Sequence, residues 1–270
     1  MTGPTLREFA DDHPEIPAEI AACFIIAVAR ALKVAHAEGI IHRDVKPENV
    51  LLHRNCEVKL TDFGIAQLLD AQSMTSTGQL LGSPGHMAPE QVEGNESTER
   101  GDLFSLGTVL YLLATGRLPF SGRNPHQVLK QIVDGKYPDP LQVRPSIGTT
   151  LRAIIVRCLN VDPEQRYPNA AELEADLSDF VRQVGIDAPL EALAAYLDNP
   201  EEGAESLRAR TVEHLIQAGL TAHRKNDVRG ALDCYDRALA LDDGNQQVLD
   251  ALDDISRRAR NRRRATKAVF

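Results

Sequence analysis

A mainly α-helical fold with one short β-hairpin, followed by a C-terminal α-hairpin, is what this chain predicts, and three observations predict it. Two apolar stretches, Ile20 to Ala35 and Leu103 to Leu113, are continuous enough to be buried helices; the first carries only Arg30 and Lys33 as charges, and the second is introduced by Asp102. Leu173 to Val184 is amphipathic at helical spacing. From Val212 to Asn245, small and aromatic residues recur at a spacing that suits two packed helices. The one strand-like signal is Asn55-Cys56-Glu57-Val58, alternating and flanked by turn residues, which fits a short hairpin.

Length and composition set the bounds. A chain of 270 residues holds one substantial domain plus an appendage. No window reaches the ~18 uncharged apolar residues expected of a membrane span. The start lacks the basic residues and small-residue cleavage pattern of a secretory signal. Cys23, Cys56, Cys158 and Cys234 are scattered without metal-ligand spacing, which predicts reduced structural thiols in a cytoplasmic compartment.

The run Ile41-His42-Arg43-Asp44-Val45-Lys46-Pro47-Glu48-Asn49-Val50-Leu51-Leu52 carries the chemistry. Moving a phosphoryl group requires in-line placement of a hydroxyl, neutralisation of phosphate charge and a proton acceptor, and this loop offers an Asp, a Lys and an Asn at short spacing. It resembles the catalytic loop of a protein kinase, H-R-D-x-x-x-x-N. The resemblance implies that Asp44 accepts the substrate hydroxyl proton and that Asn49 binds magnesium. Lys46 would sit by the transferring phosphate and offset its charge, and Lys at this place in the family accompanies Ser/Thr specificity. His42 and Arg43 would support the loop.

Lys59-Leu60-Thr61-Asp62-Phe63-Gly64 resembles the D-F-G magnesium motif. Asp62 would bind the metal that bridges the phosphates of ATP, Phe63 would pack, and Gly64 would turn the backbone. Together with Lys46 and Asn49, Asp62 completes the set that the resemblance implies for ATP and Mg2+. Residues 65–87 are rich in Ser, Thr, Gln and Gly and read as a surface loop, the activation loop by resemblance. Thr75, Ser76 and Thr77 are candidate phosphoacceptors, with Arg43 as the cation to meet an added phosphate; unmodified loop hydroxyls are the plainer reading. Gly82-Ser83-Pro84-Gly85-His86-Met87-Ala88-Pro89-Glu90 resembles the substrate-docking segment ending in A-P-E. Ser83 takes a place usually held by Thr, and His86 one usually held by Tyr. Glu90 is implied to pair with Arg166 of Asp162-Pro163-Glu164-Gln165-Arg166-Tyr167.

Arg100-Gly101-Asp102 and the apolar run behind it resemble the buried central helix of the kinase C-lobe, with Phe104 in place of the commoner Trp or Tyr. Asp102 would accept hydrogen bonds from the catalytic-loop backbone, since a carboxylate at the head of a buried helix needs such donors; an N-terminal cap fits the same place. Leu6-Arg7-Glu8-Phe9 and Ile16-Pro17-Ala18-Glu19-Ile20 resemble the helix pair that opens this lobe, with Pro17 suited to a first turn. A full kinase also needs a Gly-rich loop over the phosphates, a strand Lys and its helix Glu, and none stands before Asp44. The chain therefore reads as a kinase lacking its N-lobe or as a C-lobe working as a non-catalytic binding module. The retained identities of His42 to Asn49 and Asp62 favour the first.

The expected division is a C-lobe portion over 1–184, a linker with short helices over 185–211, a tetratricopeptide-like hairpin over 212–256 and a basic tail over 257–270. Gly219, Ala231, Tyr235 and Ala238 match the repeat, whereas Leu215, Ala222 and Asp243 depart from it, so a plain helical hairpin weighs equally. One repeat has too few apolar neighbours to stand alone and must dock or continue. Expected partners are proteins with Ser/Thr acceptors, as in bacterial-type regulatory kinases, and a protein bound by the hairpin. Arg257 to Lys267 reads as a solvated helical tail, a polyanion patch or a juxtamembrane signal of a longer parent; the net charge of -9 argues against general nucleic-acid binding.

Overall fold

A computed structural model describes residues 3–53, 57–63 and 84–267, with side chains to Arg257. Helix α1 (Leu6–Asp12) opens on Thr5, whose Oγ1 accepts the Glu8 N–H (3.1 Å) while the Glu8 carboxylate accepts the Thr5 N–H (2.7 Å). This reciprocal cap satisfies two donors that a helix start otherwise leaves bare. Helix α2 (Ala18–Ala37) follows Pro17 and buries fourteen of its 20 residues. By length and composition it could cross a bilayer. Here it is the central beam of the core, and its charges Arg30 and Lys33 reach the Glu174 carboxylate at 2.7 and 3.7 Å.

Strands β1 (Val50–Leu52) and β2 (Val58–Leu60) pair antiparallel, with Val50 opposite Leu60 and Leu52 opposite Val58. Of the strand signal at 55–58, Val58 opens β2, whereas Asn55 and Cys56 lie outside the described residues. A 3-10 turn (Pro84–His86) and the short α3 (Pro89–Val92) lead into α4 (Glu99–Thr115), buried from Gly101 through Ala114. Thr98 caps α4 and Gly116, at φ 73°, ends it. Gly107 is needed for close packing, because a Cβ there would lie 2.4 Å from the Cβ of Cys158.

The lobe continues through α5 (Pro125–Asp134), α6 (Pro140–Val143), α7 (Gly148–Cys158) and α8 (Ala170–Arg182). The amphipathic run read from Leu173 thus begins three residues earlier, where Asn169 Oδ1 accepts the Glu172 N–H. Helices α2, α4, α7 and α8 enclose one core that includes Phe24, Phe104, Phe120 and Phe180. Cys23 and Cys158 are buried in it, and burial pushes each thiol up to about 12, which leaves them inert.

Residues 185–211 are helical for most of their length. Helix α9 (Pro189–Asp198) is followed by α10 (Pro200–Arg224), a 25-residue helix that crosses the expected boundary at 212. Asn199-Pro200-Glu201-Glu202 is a helix start in retrospect: a cap, a proline at the first position and two acids in the first turn. Leu193, Tyr196 and Leu207 join the main core, so this stretch is packed rather than strung between units.

Helices α10, α11 (Val228–Leu241) and α12 (Gln246–Lys267) share a second, smaller cluster built on Val212, Ile216, Ala231, Tyr235 and Val248. Gly219 meets Tyr235 there; a Cβ on Gly219 would fall 2.5 Å from the ring. Helix α12 runs without a break across the boundary placed at 256/257. The unit rests on the lobe through α11. Arg237 donates from Nη2 to the Glu19 carboxylate and from Nε to the Ser146 carbonyl (2.9 Å), and Thr149 Oγ1 donates to Asp233 (2.7 Å).

Candidate active site

The segment between α2 and β1 is fixed from beneath by one carboxylate. Asp102 in the first turn of α4 is 2 % exposed, and its oxygens accept the backbone N–H groups of His42 (Oδ2, 2.8 Å) and Arg43 (Oδ1, 2.8 Å). Oδ2 also accepts a ring N–H from His36 at 2.9 Å. Three donors on a buried carboxylate meet its need for solvation, and two of them are the loop itself.

Arg43 stands at φ 69°, a left-handed conformation that costs a non-glycine residue energy and persists only when its surroundings enforce it. Both flanks of the residue are held: its N–H by Asp102, and its carbonyl by Gln91 Nε2 at 2.9 Å. The Arg43 side chain is exposed and has no ion-pair partner among the described residues.

His42 is fully buried. Its Nδ1 faces the Asp44 N–H at 3.3 Å and its Nε2 faces the Thr61 carbonyl at 2.8 Å. The backbone partners fix the ring as a neutral tautomer protonated at Nε2, because an amide only donates and a carbonyl only accepts. His42 thus joins the loop to the end of β2. Thr61 adds two bonds to the Asn49 carbonyl, from its N–H (2.9 Å) and Oγ1 (3.1 Å), and Phe63 lies with its ring centroid 4.6 Å from that of His42. Asp62, exposed and at φ 60°, is carried on this segment beside Asn49.

At the surface of the loop, three predicted groups converge. Asp44 Oδ2 accepts from Lys46 Nζ at 2.6 Å and from Asn49 Nδ2 at 3.0 Å, and the same Nδ2 donates to the Asp44 carbonyl at 2.8 Å. Both amide hydrogens of Asn49 therefore face Asp44, and its Oδ1 lies on the opposite edge of the amide. Asn49 Oδ1 and the Asp62 carboxylate are both oxygen donors, the kind a hard cation such as Mg2+ prefers.

Below the site, Glu90 and Arg166 make a two-pronged pair at 2.8 and 2.9 Å. His86 is buried, and its Nδ1 lies 2.6 Å from Thr108 Oγ1. The Thr108 hydroxyl spends its one hydrogen on the Ser105 carbonyl (2.6 Å), so it accepts from His86, which carries its proton on Nδ1. Burial, with the nearby cations Lys46 and Arg7, lowers the His86 pKa to about 4, so the ring that replaces the expected aromatic is a neutral one.

The structure brings together Asp44, Lys46, Asn49, His42, Phe63 and Asp102, carries Asp62 next to Thr61, which bonds Asn49, and separately pairs Glu90 with Arg166. Gly64, Thr75, Ser76, Thr77 and Ser83 lie outside the described residues. Three supporting groups were not read from the sequence: His36, Thr61 and Gln91. Thr61 was adjacent to a recognised motif, whereas His36 sits in an apolar helix with nothing local to mark it.

These features are those of a protein kinase lobe, and comparison places the chain in that class. The protein kinase domain family matches residues 1–176, and the chain belongs to this family. Curated relatives are bacterial serine/threonine kinases. A probable serine/threonine-protein kinase of Clostridium perfringens is 39% identical over 186 residues, which are 69% of this chain and 27% of that protein. PknB of Mycobacterium leprae is 39% identical over 178 residues, covering 66% and 29%. PrkC of Bacillus subtilis is 34% identical over 177 residues, covering 66% and 27%. This chain thus spans under a third of the length of these relatives. Among solved structures, Rad53 1-466 in complex with AMP-PNP superposes with a TM-score of 0.54 at 32% identity, over 64% of this chain and 43% of that one.

Proposed function

We propose that this chain supplies the catalytic-loop lobe of a bacterial-type serine/threonine kinase that moves the γ-phosphoryl group of ATP to protein Ser/Thr hydroxyls. The observation that carries the reading is the convergence on Asp44 of Lys46 Nζ (2.6 Å) and Asn49 Nδ2 (3.0 Å). Both donors sit on Oδ2, which leaves Oδ1 to accept a proton from the incoming hydroxyl as its oxygen bonds to phosphorus and the bond to ADP breaks. Lys46 offsets charge on the transferring group. Asn49 and Asp62 would hold Mg2+, which when bound neutralises the phosphate oxygens.

Asp102 and His42 act earlier in the chain of causes. They fix the backbone that carries Asp44, so that the base is in place before substrate arrives. The cover over the phosphates and the Lys for the α/β-phosphates are not among these 270 residues, so a complete site needs them from elsewhere. The α10–α12 unit, tetratricopeptide-like in its Gly219–Tyr235 contact, is a candidate protein-binding module.

The test is Mg2+-dependent ATP binding and autophosphorylation by this chain, with Asp44→Asn as control. Transfer that the substitution abolishes supports the kinase reading and removes that of a non-catalytic scaffold. Absence of nucleotide binding removes catalysis by these residues alone and favours the scaffold.

A further inference from the structure

A cleft of about 900 Å³ lies between the lobe and the appended helices, on surfaces the phosphoryl-transfer site does not use. It is lined by the α1–α2 turn and the start of α2, and by faces of α10 and α11. Acids outnumber cations on its walls, four Glu to two Arg. Glu15, Glu201 and Glu205 are exposed on its walls and have no ion-pair partner among the described residues. The cations of the cleft are committed to backbone: Arg144 Nη1 donates to the carbonyls of Ile16 (3.0 Å) and Ala114 (3.2 Å), and Arg208 Nε to that of Leu241 (2.6 Å). Glu19 is matched by Arg237.

A second observation points to a ligand. Thr211 lines the same cleft, is 1 % exposed, and its Oγ1 has no hydrogen-bond partner. A buried hydroxyl without a partner carries a desolvation cost that a bound donor or acceptor would relieve. An excess of carboxylates around an unsatisfied hydroxyl suits a cationic, hydrogen-bonding ligand.

This chain contains such a ligand. Residues 257–267 hold six Arg and one Lys in eleven positions, whereas the whole chain is at -9, so the rest of its surface is strongly acidic. The run has no aromatic residue of the kind that stacks on bases. Held in a continuous α12, it is carried well beyond the start of that helix. Leu241 borders the cleft, Val248 and Ile255 pin α12 to the small cluster, and a rise of ~1.5 Å per residue puts residues 257–267 about 16–32 Å along the axis from Gln246.

We infer that this acidic cleft receives the Arg-rich end of α12 from a second copy of the chain, and that reciprocal insertion forms a two-fold pair. Unlike charges would steer the two copies together, and added salt would weaken them.

The test is sedimentation of the full chain at rising concentration, with anisotropy of a labelled peptide of residues 257–267. Wild-type chain is expected to dimerise at low salt and dissociate at high salt. Glu201→Lys with Glu205→Lys should weaken the peptide about tenfold or more and abolish the dimer. Thr211→Val should weaken the peptide several-fold without lowering the unfolding midpoint. Arg262→Glu with Arg263→Glu and Arg264→Glu should also leave a monomer, and mixing this variant with the Glu201/Glu205 variant should restore association. A wild-type chain that stays monomeric, or a peptide that binds both forms of the cleft equally, overturns the proposal. So does a peptide bound by a chain that never self-associates, which would assign the cleft to a foreign basic segment.

Discussion

Two buried arginines hold this molecule together in different ways. Arg166, with a side chain 0% exposed, spends all five donors: Nε on the Asn160 carbonyl, Nη1 on Glu90 and the Arg100 carbonyl, Nη2 on Glu90 and the Val161 carbonyl. Its guanidinium also lies 4.9 Å from the centre of the Phe104 ring. Arg237, at 7% exposure, donates to Glu19 and the Ser146 carbonyl and lies 5.1 Å from the Phe180 ring centre. Arg166 fastens one part of the lobe to another. Arg237 fastens α11 to the lobe beside an open cleft. The comparison teaches that two buried ion pairs differ in how many of the guanidinium donors are matched, five for Arg166 and two for Arg237.

The sharpest way to break the comparison is Arg166→Leu. It leaves Glu90 buried without a counter-charge, and the expected loss is about 3–5 kcal/mol. Urea unfolding followed by circular dichroism reads it, since the chain has no Trp to report by fluorescence. Arg237→Leu should cost less, about 2–3 kcal/mol, because it breaks hydrogen bonds to two partners, Glu19 and the Ser146 carbonyl, where Arg166→Leu breaks five bonds. Equal losses in the two variants would contradict the distinction.

Gly148→Ala probes the second arginine from its other side. Gly148 has φ 77° and a Cβ there would meet Arg237 Cδ at 2.7 Å, so about 1–2 kcal/mol should be lost through backbone strain and displacement of the guanidinium. In an Arg237→Leu background the part due to crowding should shrink, and a double-mutant cycle measures it.

A pH scan separates these permanently charged groups from His86, which is buried neutral. Its folded pKa, about 4, lies below the ordinary histidine value of 6.5, so the unfolded chain binds the extra proton between those pH values. Stability contributed by His86 is present above pH 6.5 and falls as pH drops toward 4, with a slope of about 1.4 kcal/mol per pH unit from this group. His86→Tyr should flatten that slope, and an unchanged slope would exclude the ring as its source. The smallest effect belongs to an exposed pair. Arg7→Ala removes an i,i+4 contact with Asp11 at 2.9 Å and should shift stability by about 0.3–0.5 kcal/mol.

Legibility followed the same divide. Asp44, Lys46, Asn49 and Asp62 were singled out because they fall in short motifs whose residue types and spacing phosphoryl transfer constrains, and the Glu90–Arg166 pair was readable only through resemblance, 76 residues apart. The helices at Ile20 and Asp102 were readable from continuous apolar runs. The linker reading of 185–211 missed a start signal at Asn199-Pro200, since Pro, Ala and acidic residues are equally at home in connectors and first turns. The helical reading of Arg257 to Lys267 agrees with α12, whereas the boundary at 256/257 does not, because charge composition changes there and the helix does not.

The sequence by itself determined the family of this lobe and most of its helices, because local spacing and propensity act over a few residues. Tertiary structure alone decided that Arg237 meets Glu19, that His36 and Gln91 brace the catalytic loop, and that an acidic cleft opens beside α11. Those contacts join residues up to 218 positions apart, and no periodicity along a chain records which distant surfaces will meet. They exist because burying the two helical clusters against each other brings particular side chains into reach.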